Sequence, residues 1–294
     1  MIKRRSNWYI YVITFIVTGL LIAIVSTVLL NSFYEAQRSG NTGNISQPQG
    51  TRFVPDKSYN FTILLTLSKD IDTPPERFMT LSYRADNNSV VLMPYLANTE
   101  INGKTLKTIF SESGGAETAK QLSEASGIKI EKYIAFTEST VTEFFNMVGN
   151  TTLTVPKQLK YEDKEDNTVT LIEAGTRSFT GTQMYTYLMF PDYSSSDIQY
   201  SCKIAATSVS AFINQNFLRT SEKTLGSYAD FIIGFTDTNI TEEDYNKKIS
   251  AIVYTLEEAT SLADYYIPYG ENSGTNYIIA ENSWARAKEV AATN

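Results

Sequence analysis

The chain has 294 residues, of which 42% are hydrophobic, 25 are basic and 32 are acidic, so its formal net charge is −7. This length suffices for one sizeable domain with an anchor, or for two small domains. The absence of histidine and the single cysteine, Cys202, exclude imidazole catalysis, a cysteine–histidine nucleophile and an internal disulfide. We therefore expect carboxylates, cations or hydroxyl groups to carry any chemistry.

The N-terminal part contains an uncharged, apolar run at residues 8–30, preceded by Lys3, Arg4 and Arg5. At about 1.5 Å of helical rise per residue, this run spans roughly 34 Å, which predicts a transmembrane helix. The three basic residues place residues 1–7 in the cytoplasm. A cleavable signal peptide is the alternative, but the run is longer than a usual signal core and no small-x-small cleavage site follows it.

Residues 31–57 are predicted to be an extracytoplasmic linker, because residues 39–50 are polar and rich in turn formers. Residues 58–294 then form the main domain. All 32 acidic residues lie beyond the span. Of the 25 basic residues, three precede the span and 22 lie beyond it, so this part of the chain has a formal charge of 22 − 32 = −10. This charge disfavours nucleic acid as a partner. We expect a single-pass membrane protein, with its C-terminal domain outside the cytoplasm.

The main domain alternates strand and helix patterns. Apolar, β-branched runs bounded by turn formers predict strands at residues 61–67, 78–83, 89–93, 133–136, 151–155 and 231–235. Apolar residues at helical spacing end before Gly127 and Gly149, and capping pairs occur at Thr140/Glu143 and Thr241/Asp244. The mixture predicts a layered α/β domain, in which a mixed sheet is covered by helices on both faces.

Three segments carry a more specific pattern. Residues 61–69 read FTILLTLSK, Gly114 and Gly115 form a pair at a helix pattern, and residues 175–191 read GTRSFTGTQMYTYLMFP. In the last segment, Thr180 and Gln183 have capping-box spacing. In this order, over residues 58–290, the segments resemble the fNILLLGxD strand, the GG helix start and the GxxxLnGeqALxYxRxR signature of the LytR-CpsA-Psr family of cell-envelope proteins.

Members of this family transfer wall glycopolymers from a polyprenyl-pyrophosphate carrier to peptidoglycan. The resemblance implies that the lipid tail lies in an apolar cavity and that arginines and a magnesium ion hold the pyrophosphate. Most of those charges are missing here. Tyr95, Met189, Pro191 and Tyr200 stand at arginine positions of the family pattern, while Asp197 is retained and Lys203 keeps a positive charge.

The family's two magnesium-holding aspartates fall near Lys69 or Asp70 and at Arg77. Magnesium prefers oxygen ligands, which a guanidinium cannot supply. The metal candidates are therefore Asp70 and Asp72, and magnesium is expected only if the chain is catalytic.

Four cations lie in or beside the matched segments and are the candidate phosphate-binding residues. They are Lys203, Arg77, Arg84 and Arg177. Such a cluster can bind a phosphate without cleaving it, although each residue can also be an ordinary solvated charge.

Three functions stay open at this point. The first is an envelope protein that binds a polyprenyl-phosphate lipid, a wall glycan or a protein partner, with impaired or no catalysis. The second is an active glycopolymer phosphotransferase with a different cation set. The third is an envelope interaction module with no lipid ligand.

Overall fold

The computed structural model of the protein describes residues 52–164, 167–191 and 199–291. The predicted cytoplasmic N-terminus, the membrane span at residues 8–30 and most of the linker lie outside these ranges. No helix within them is long and apolar enough to cross a membrane.

The domain contains short strands, hairpins and helices of very different lengths. The strands are β1 (Phe61–Leu67), β2 (Arg77–Arg84), β3 (Ser89–Leu96), β4 (Glu100–Ile101), β5 (Lys104–Thr105), β6 (Lys132–Phe136), β7 (Thr151–Val155), β8 (Leu159–Asp163), β9 (Thr168–Ile172), β10 (Gly175–Phe179), β11 (Asp237–Thr238), β12 (Ala263–Tyr265), β13 (Gly270–Ser273) and β14 (Asn276–Ile279). The α-helices are α1 (Leu106–Ser126), α2 (Glu138–Val148), α3 (Gly181–Leu188), α4 (Tyr200–Asn216), α5 (Glu222–Phe235), α6 (Glu242–Glu258) and α7 (Glu281–Ala291).

The central sheet has the strand order β11-β6-β1-β2-β3-β12. It is mixed, because β1 pairs in parallel with β6 and β3 in parallel with β12, whereas the other neighbours are antiparallel. The C-terminal ends of β1, β3, β6 and β12 therefore meet the N-terminal ends of β2 and β11. We call this side of the sheet the carboxyl edge.

Each face of the sheet builds its own hydrophobic core. Successive side chains of a strand point to opposite faces, so β2 places Met79 and Tyr83 in a first core and Phe78 in a second. Helices α2 to α6 supply the first core, while α1 and α7 supply the second. The predicted layered α/β architecture with a mixed sheet is confirmed.

One predicted strand is wrong, because residues 231–235 form the end of helix α5. The Ser221 hydroxyl oxygen caps this helix by accepting the Thr224 N–H at 3.2 Å. Leu225, Tyr228 and Phe231 are buried at a spacing of three residues, as one face of a helix requires. The apolar run at its end was thus the last turn of an amphipathic helix.

The helix caps explain most of the other boundaries. Reciprocal capping boxes form at Thr180/Gln183 and Thr241/Asp244, as predicted. The predicted capping pair Thr140/Glu143 is wrong, because α2 begins three residues earlier. Thr137 is its N-cap, and the Thr140 side chain accepts the N–H of Thr137 to complete the capping box. Gly114, with φ of 75°, interrupts α1 so that a new helical segment starts at the glycine pair.

Helix α3 approaches α2 so closely that glycine is required at its first position. A Cβ atom on Gly181 would lie 2.2 Å from the Thr142 carbonyl oxygen. We predict that Gly181→Ala lowers the free energy of unfolding by about 1–3 kcal/mol, because backbone must move to accept the methyl group. The control is Gly226→Ala in α5, where the new Cβ would be 3.7 Å from the Tyr245 hydroxyl. Equal melting curves for the two variants would contradict the close approach.

Asp244 links the N-terminus of α6 to β6. Its Oδ2 atom accepts the Thr241 N–H at 2.9 Å and lies 2.6 Å from Lys132 Nζ. Burial alone would raise the pKa of Asp244, but the hydrogen bonds from Lys132 and Thr241 outweigh it and lower the pKa from 3.8 to about 2. Because the folded pKa is depressed, the stabilisation is complete above about pH 4 and is lost as pH falls towards 2.

We therefore predict that Asp244→Asn lowers the free energy of unfolding by about 1–2 kcal/mol at neutral pH, with the difference shrinking below pH 4. Chemical unfolding across this pH range measures the effect. The control Glu243→Gln removes a carboxylate that is 76% exposed and should cost less than about 0.5 kcal/mol. A pH-independent difference between Asp244→Asn and the parent chain would disprove the linkage.

Candidate functional site

An apolar cavity of about 250 Å³ lies between the first face of the sheet and helices α2, α4 and α5. A second apolar cavity of about 240 Å³ adjoins it and extends to α6. Both cavities share five lining residues: Leu81, Phe144, Ile213, Phe217 and Ile232. We call the two together the lumen. It follows β2 from Arg77 to Tyr83, which is roughly 20 Å at 3.3 Å per residue.

The lumen is apolar because every second residue of β1 and β2 places an aliphatic side chain on this face of the sheet. Ile63, Leu65 and Leu67 come from β1, and Met79 and Leu81 from β2. The helices on this side add mostly phenylalanine and aliphatic residues. Such a surface fits the hydrocarbon part of a ligand.

Arg77 lines the lumen where it reaches the carboxyl edge. Its Nε atom donates to the Leu188 carbonyl oxygen at 2.7 Å, and its Nη2 atom donates to that of Phe190 at 3.5 Å. The last carbonyl groups of a helix lack intrahelical partners and carry partial negative charge. The Arg77 guanidinium therefore fastens the end of α3 to the sheet.

A space of about 530 Å³, which we call the mouth, lies beside Arg77's neighbour Glu76 at the carboxyl edge. Lys69, Lys107, Glu138 and Tyr185 also line it. Lys107 forms a salt bridge with Glu76, whereas Lys69 forms no ion pair with a residue of the described ranges. The mouth therefore has two cations, Lys69 and Lys107, and two carboxylates, Glu76 and Glu138, in its lining.

Among the side chains that line the mouth, Tyr185 has the pKa that is shifted most. Burial raises its pKa, and the neighbouring carboxylate of Glu138 raises it further. The phenol is therefore neutral and can donate a hydrogen bond to an anion or to Glu138. Sequence reasoning named Tyr185 as an aromatic residue that could line a sugar or lipid groove or pack in the core. It missed Lys107 as a site residue, because Lys107 reaches the mouth through the packing of α1 rather than through a charged motif.

Tyr95, at an arginine position of the family pattern, lies in the second core. Its side chain is only 3% exposed and its ring stacks on Trp284, with 5.9 Å between the ring centroids. Its hydroxyl lies 3.4 Å from Thr80 Oγ1, and burial raises its pKa. The position is therefore an interior aromatic site, which also borders a cavity of about 360 Å³ that Arg77 lines.

The remaining matched positions surround the end of α3 and the start of α4. Met189 and Pro191 line the mouth without charge. Tyr200 begins α4, and Lys157 Nζ lies 5.2 Å above its ring. Lys203 is exposed in the first turn of α4. Ser201 and Cys202, which precede it, line a further cavity of about 360 Å³ together with Arg77. Asp197 lies outside the described residues.

The structure does not bring Arg84 and Arg177 to Arg77. Arg84 ends β2, seven residues from Arg77, which separates them by roughly 23 Å along the strand. Its Nη1 atom donates to the Val290 carbonyl oxygen at 3.3 Å, near the C-terminus of α7. Arg177 belongs to β10 and its Nη2 atom pairs with Glu173 at 3.0 Å. Both have structural partners, so the four phosphate candidates do not form one cluster.

The metal candidates lie in an exposed turn after β1. The Asp70 Oδ1 atom accepts the Asp72 N–H at 3.0 Å, and the Asp70 N–H donates to Thr73 Oγ1 at 3.0 Å. Across the described ranges, no three acidic or cysteine side chains are grouped as ligands of a metal ion. Magnesium requires near-octahedral oxygen ligands. The described residues therefore form no preformed site of three side-chain ligands, but one or two carboxylates together with waters and a substrate phosphate can also hold magnesium, so Asp70 and Asp72 stay a prediction.

We predict that the arginine of the family pattern cannot be restored at position 95 without loss of stability. Tyr95→Arg places a charge in the second core and should lower the free energy of unfolding by about 3 kcal/mol or more. Tyr95→Phe removes only the long contact with Thr80 and should cost less than about 1 kcal/mol. Thermal unfolding of both variants measures the difference, and a Tyr95→Arg chain as stable as its parent would contradict the buried placement.

Comparison with known proteins gives structural relatives. No family model and no curated protein matches the chain. A crystal structure from Eubacterium siraeum DSM 15702, described as a candidate transcription regulator, shares 55% identity, covers 86% of this chain and 99% of its own, and has a TM-score of 0.81.

Two more distant structures show the same fold. B. subtilis TagV has 13% identity and a TM-score of 0.63, and the match covers 79% of this chain and 95% of TagV. TagT bound to LI-WTA has 12% identity and a TM-score of 0.60, with 81% and 91% covered. These relatives show that the chain has the fold of TagV and TagT, and the strand, glycine-pair and capping motifs agree with a LytR-CpsA-Psr-like fold.

Proposed function

We propose that this chain is a membrane-anchored protein of cell-envelope assembly that binds a polyprenyl-phosphate-linked ligand and has impaired or no phosphotransferase activity. The observation that carries this proposal is the apolar lumen, which follows β2 and ends at Arg77, whose neighbour Glu76 lines the mouth. A lipid tail in the lumen would place its phosphate at the carboxyl edge. TagT, a distant relative, is described as bound to LI-WTA.

The hydrophobic effect supplies the affinity in this proposal. Each methylene group removed from water contributes about 0.8 kcal/mol, and the lumen offers apolar walls on all the elements that surround it. The phosphate would meet Lys69 and Lys107 at the mouth and the N–H groups of Arg77 at its border. Binding of such a lipid therefore requires few charged side chains beyond those that already line the mouth.

Transfer requires more than retention. The charge that develops on a pyrophosphate in the transition state is stabilised by preorganised donors, and the planar fork of arginine suits this role. Here Tyr95 is buried, Met189 and Pro191 are neutral, and Arg77 donates to carbonyl groups of α3 and the residue that follows it. These placements support binding with slow or absent transfer.

A divergent active phosphotransferase is the second candidate. The observation that favours it is the presence of Lys69 and Lys107 in the mouth, which supply a cation set different from the family's. However, Lys107 is already paired with Glu76, and a lysine is a point charge without bidentate geometry. We therefore place this candidate after the binding protein. The anchor at residues 8–30 and the outward orientation remain part of the proposal.

We predict that filling the lumen removes the lipid. Val209 lines the lumen in α4, so Val209→Trp should abolish polyprenyl phosphate that copurifies with the full chain, because the indole occupies the space of the tail. Native mass spectrometry of the detergent-solubilised chain measures the bound lipid. The control Val169→Trp changes a side chain that is 59% exposed on β9 and should retain it.

Two other results would decide against the proposal. If neither the parent chain nor the control carries or takes up a polyprenyl phosphate, the chain is an interaction module without a lipid ligand. If Val209→Trp keeps the lipid at the level of the control, the lumen is not its binding site.

A further inference from the structure

We propose that the lumen limits how much of a lipid tail the protein binds, so that it holds about four isoprene units next to the phosphate and leaves the later units outside. This inference rests on the proposed function, because it specifies which part of the tail lies in the lumen. It follows from the two halves of the lumen, the polar groups at its far end and its length.

The lumen consists of two halves of nearly equal volume. The near half, of about 250 Å³, begins at Arg77 and has Val209 in its lining, whereas the far half, of about 240 Å³, has Ala229 in its lining. The five lining residues that both cavities share mark the place where the halves meet. A tail that enters at Arg77 therefore passes these side chains before it reaches the far half.

Hydrogen-bonded side chains lie at the far end of the lumen. The Tyr83 hydroxyl is 2.8 Å from Thr255 Oγ1, and the Thr255 hydroxyl donates to Asn88 Oδ1 at 3.2 Å. Tyr83 is only 3% exposed and Thr255 is fully buried. The apolar side chains that line this end are buried as well: Val90, Leu256 and Leu262.

This polar network ends the lumen chemically as well as sterically. A hydrocarbon chain that extended past Tyr83 and Thr255 would separate their hydroxyl groups. Buried polar groups would then lack hydrogen-bond partners, which is unfavourable. We therefore take the Tyr83–Thr255 contact as the end of the space that a tail can fill.

The length of the lumen determines how many isoprene units it accepts. From Arg77 to Tyr83 it follows β2 for roughly 20 Å. An extended chain advances about 1.1–1.2 Å per bond and an isoprene unit adds four bonds to it, so about four units fill this length. Each half then holds about two units. Units beyond the fourth gain no contact with the lumen.

The test uses prenyl monophosphates of two, four and six isoprene units as probes and the full chain in detergent. Isothermal titration calorimetry gives the dissociation constant of each probe for the parent chain and for Ala229→Trp. The variant-to-parent ratio of these constants is then compared between probes. Partition of a probe into the detergent is the same for both chains and cancels in this ratio.

Ala229→Trp places an indole in the far half and leaves the near half unchanged. We expect a ratio within about twofold for the two-unit probe, which stays in the near half. For the four-unit probe we expect about tenfold or more, because each methylene group buried in the lumen contributes about fourfold in affinity. The six-unit probe should give the same ratio as the four-unit probe, because its last units lie outside the lumen in both chains.

Two further variants control the experiment. Ser227→Trp changes an exposed residue of the same helix, α5, that does not line the lumen, and its ratios should stay near one for all three probes. Ile252→Trp enters the far half from α6 and should reproduce the dependence on tail length. This second variant keeps the test decisive if Ala229→Trp has a lower melting temperature than the parent chain.

The outcomes separate this inference from the function on which it rests. Equal ratios for the two-unit and four-unit probes show that the far half holds no tail, which overturns the inference but leaves a lipid-binding protein. A six-unit ratio well above the four-unit ratio shows that the tail continues past Tyr83 and overturns the length limit. Absence of binding of all three probes to the parent chain overturns the proposed function itself.

Discussion

The contact between the Arg77 guanidinium and the carbonyl end of α3 is the constraint around which this site is built. It joins the N-terminal end of β2 to Leu188 and Phe190 at the end of α3. The mouth, the lumen and the second half of the domain therefore lie next to one another at this point. Where the family pattern has an aspartate, this chain has an arginine that holds the end of a helix. The position of Arg77 thus serves the fold.

The fold and the family's chemistry depend on different residues. The capping box at Thr180 and the close approach of Gly181 to α2 fix α3, and neither requires a charge. The arginines of the pattern stabilise a reacting pyrophosphate and are not needed for packing. Met189 and Pro191 can therefore stand in their places, and Tyr95 adds an aromatic stack to the core. A scaffold of this kind persists when its chemistry changes.

Local patterns predicted most of the central sheet but little of the site. Strands β1 and β7 were predicted with their observed ends, because their apolar runs are bounded by turn residues. The run at residues 231–235 was misassigned, since a short apolar segment has no period that separates strand from helix. Lys107 could not be predicted, because it reaches the mouth only through long-range packing. Arg84 was a candidate phosphate ligand because of its charge, but it lies at the end of β2 opposite to Arg77.

The central claim is that this chain retains a lipid-linked phosphate without transferring what is attached to it. The most direct measurement is the release of polyprenyl monophosphate from a polyprenyl-pyrophosphate-linked saccharide, followed over time with the full chain, a peptidoglycan acceptor and magnesium. The account predicts a stoichiometric complex and no release above the rate without protein. Release over several turnovers that is lost in the Val209→Trp chain would contradict it.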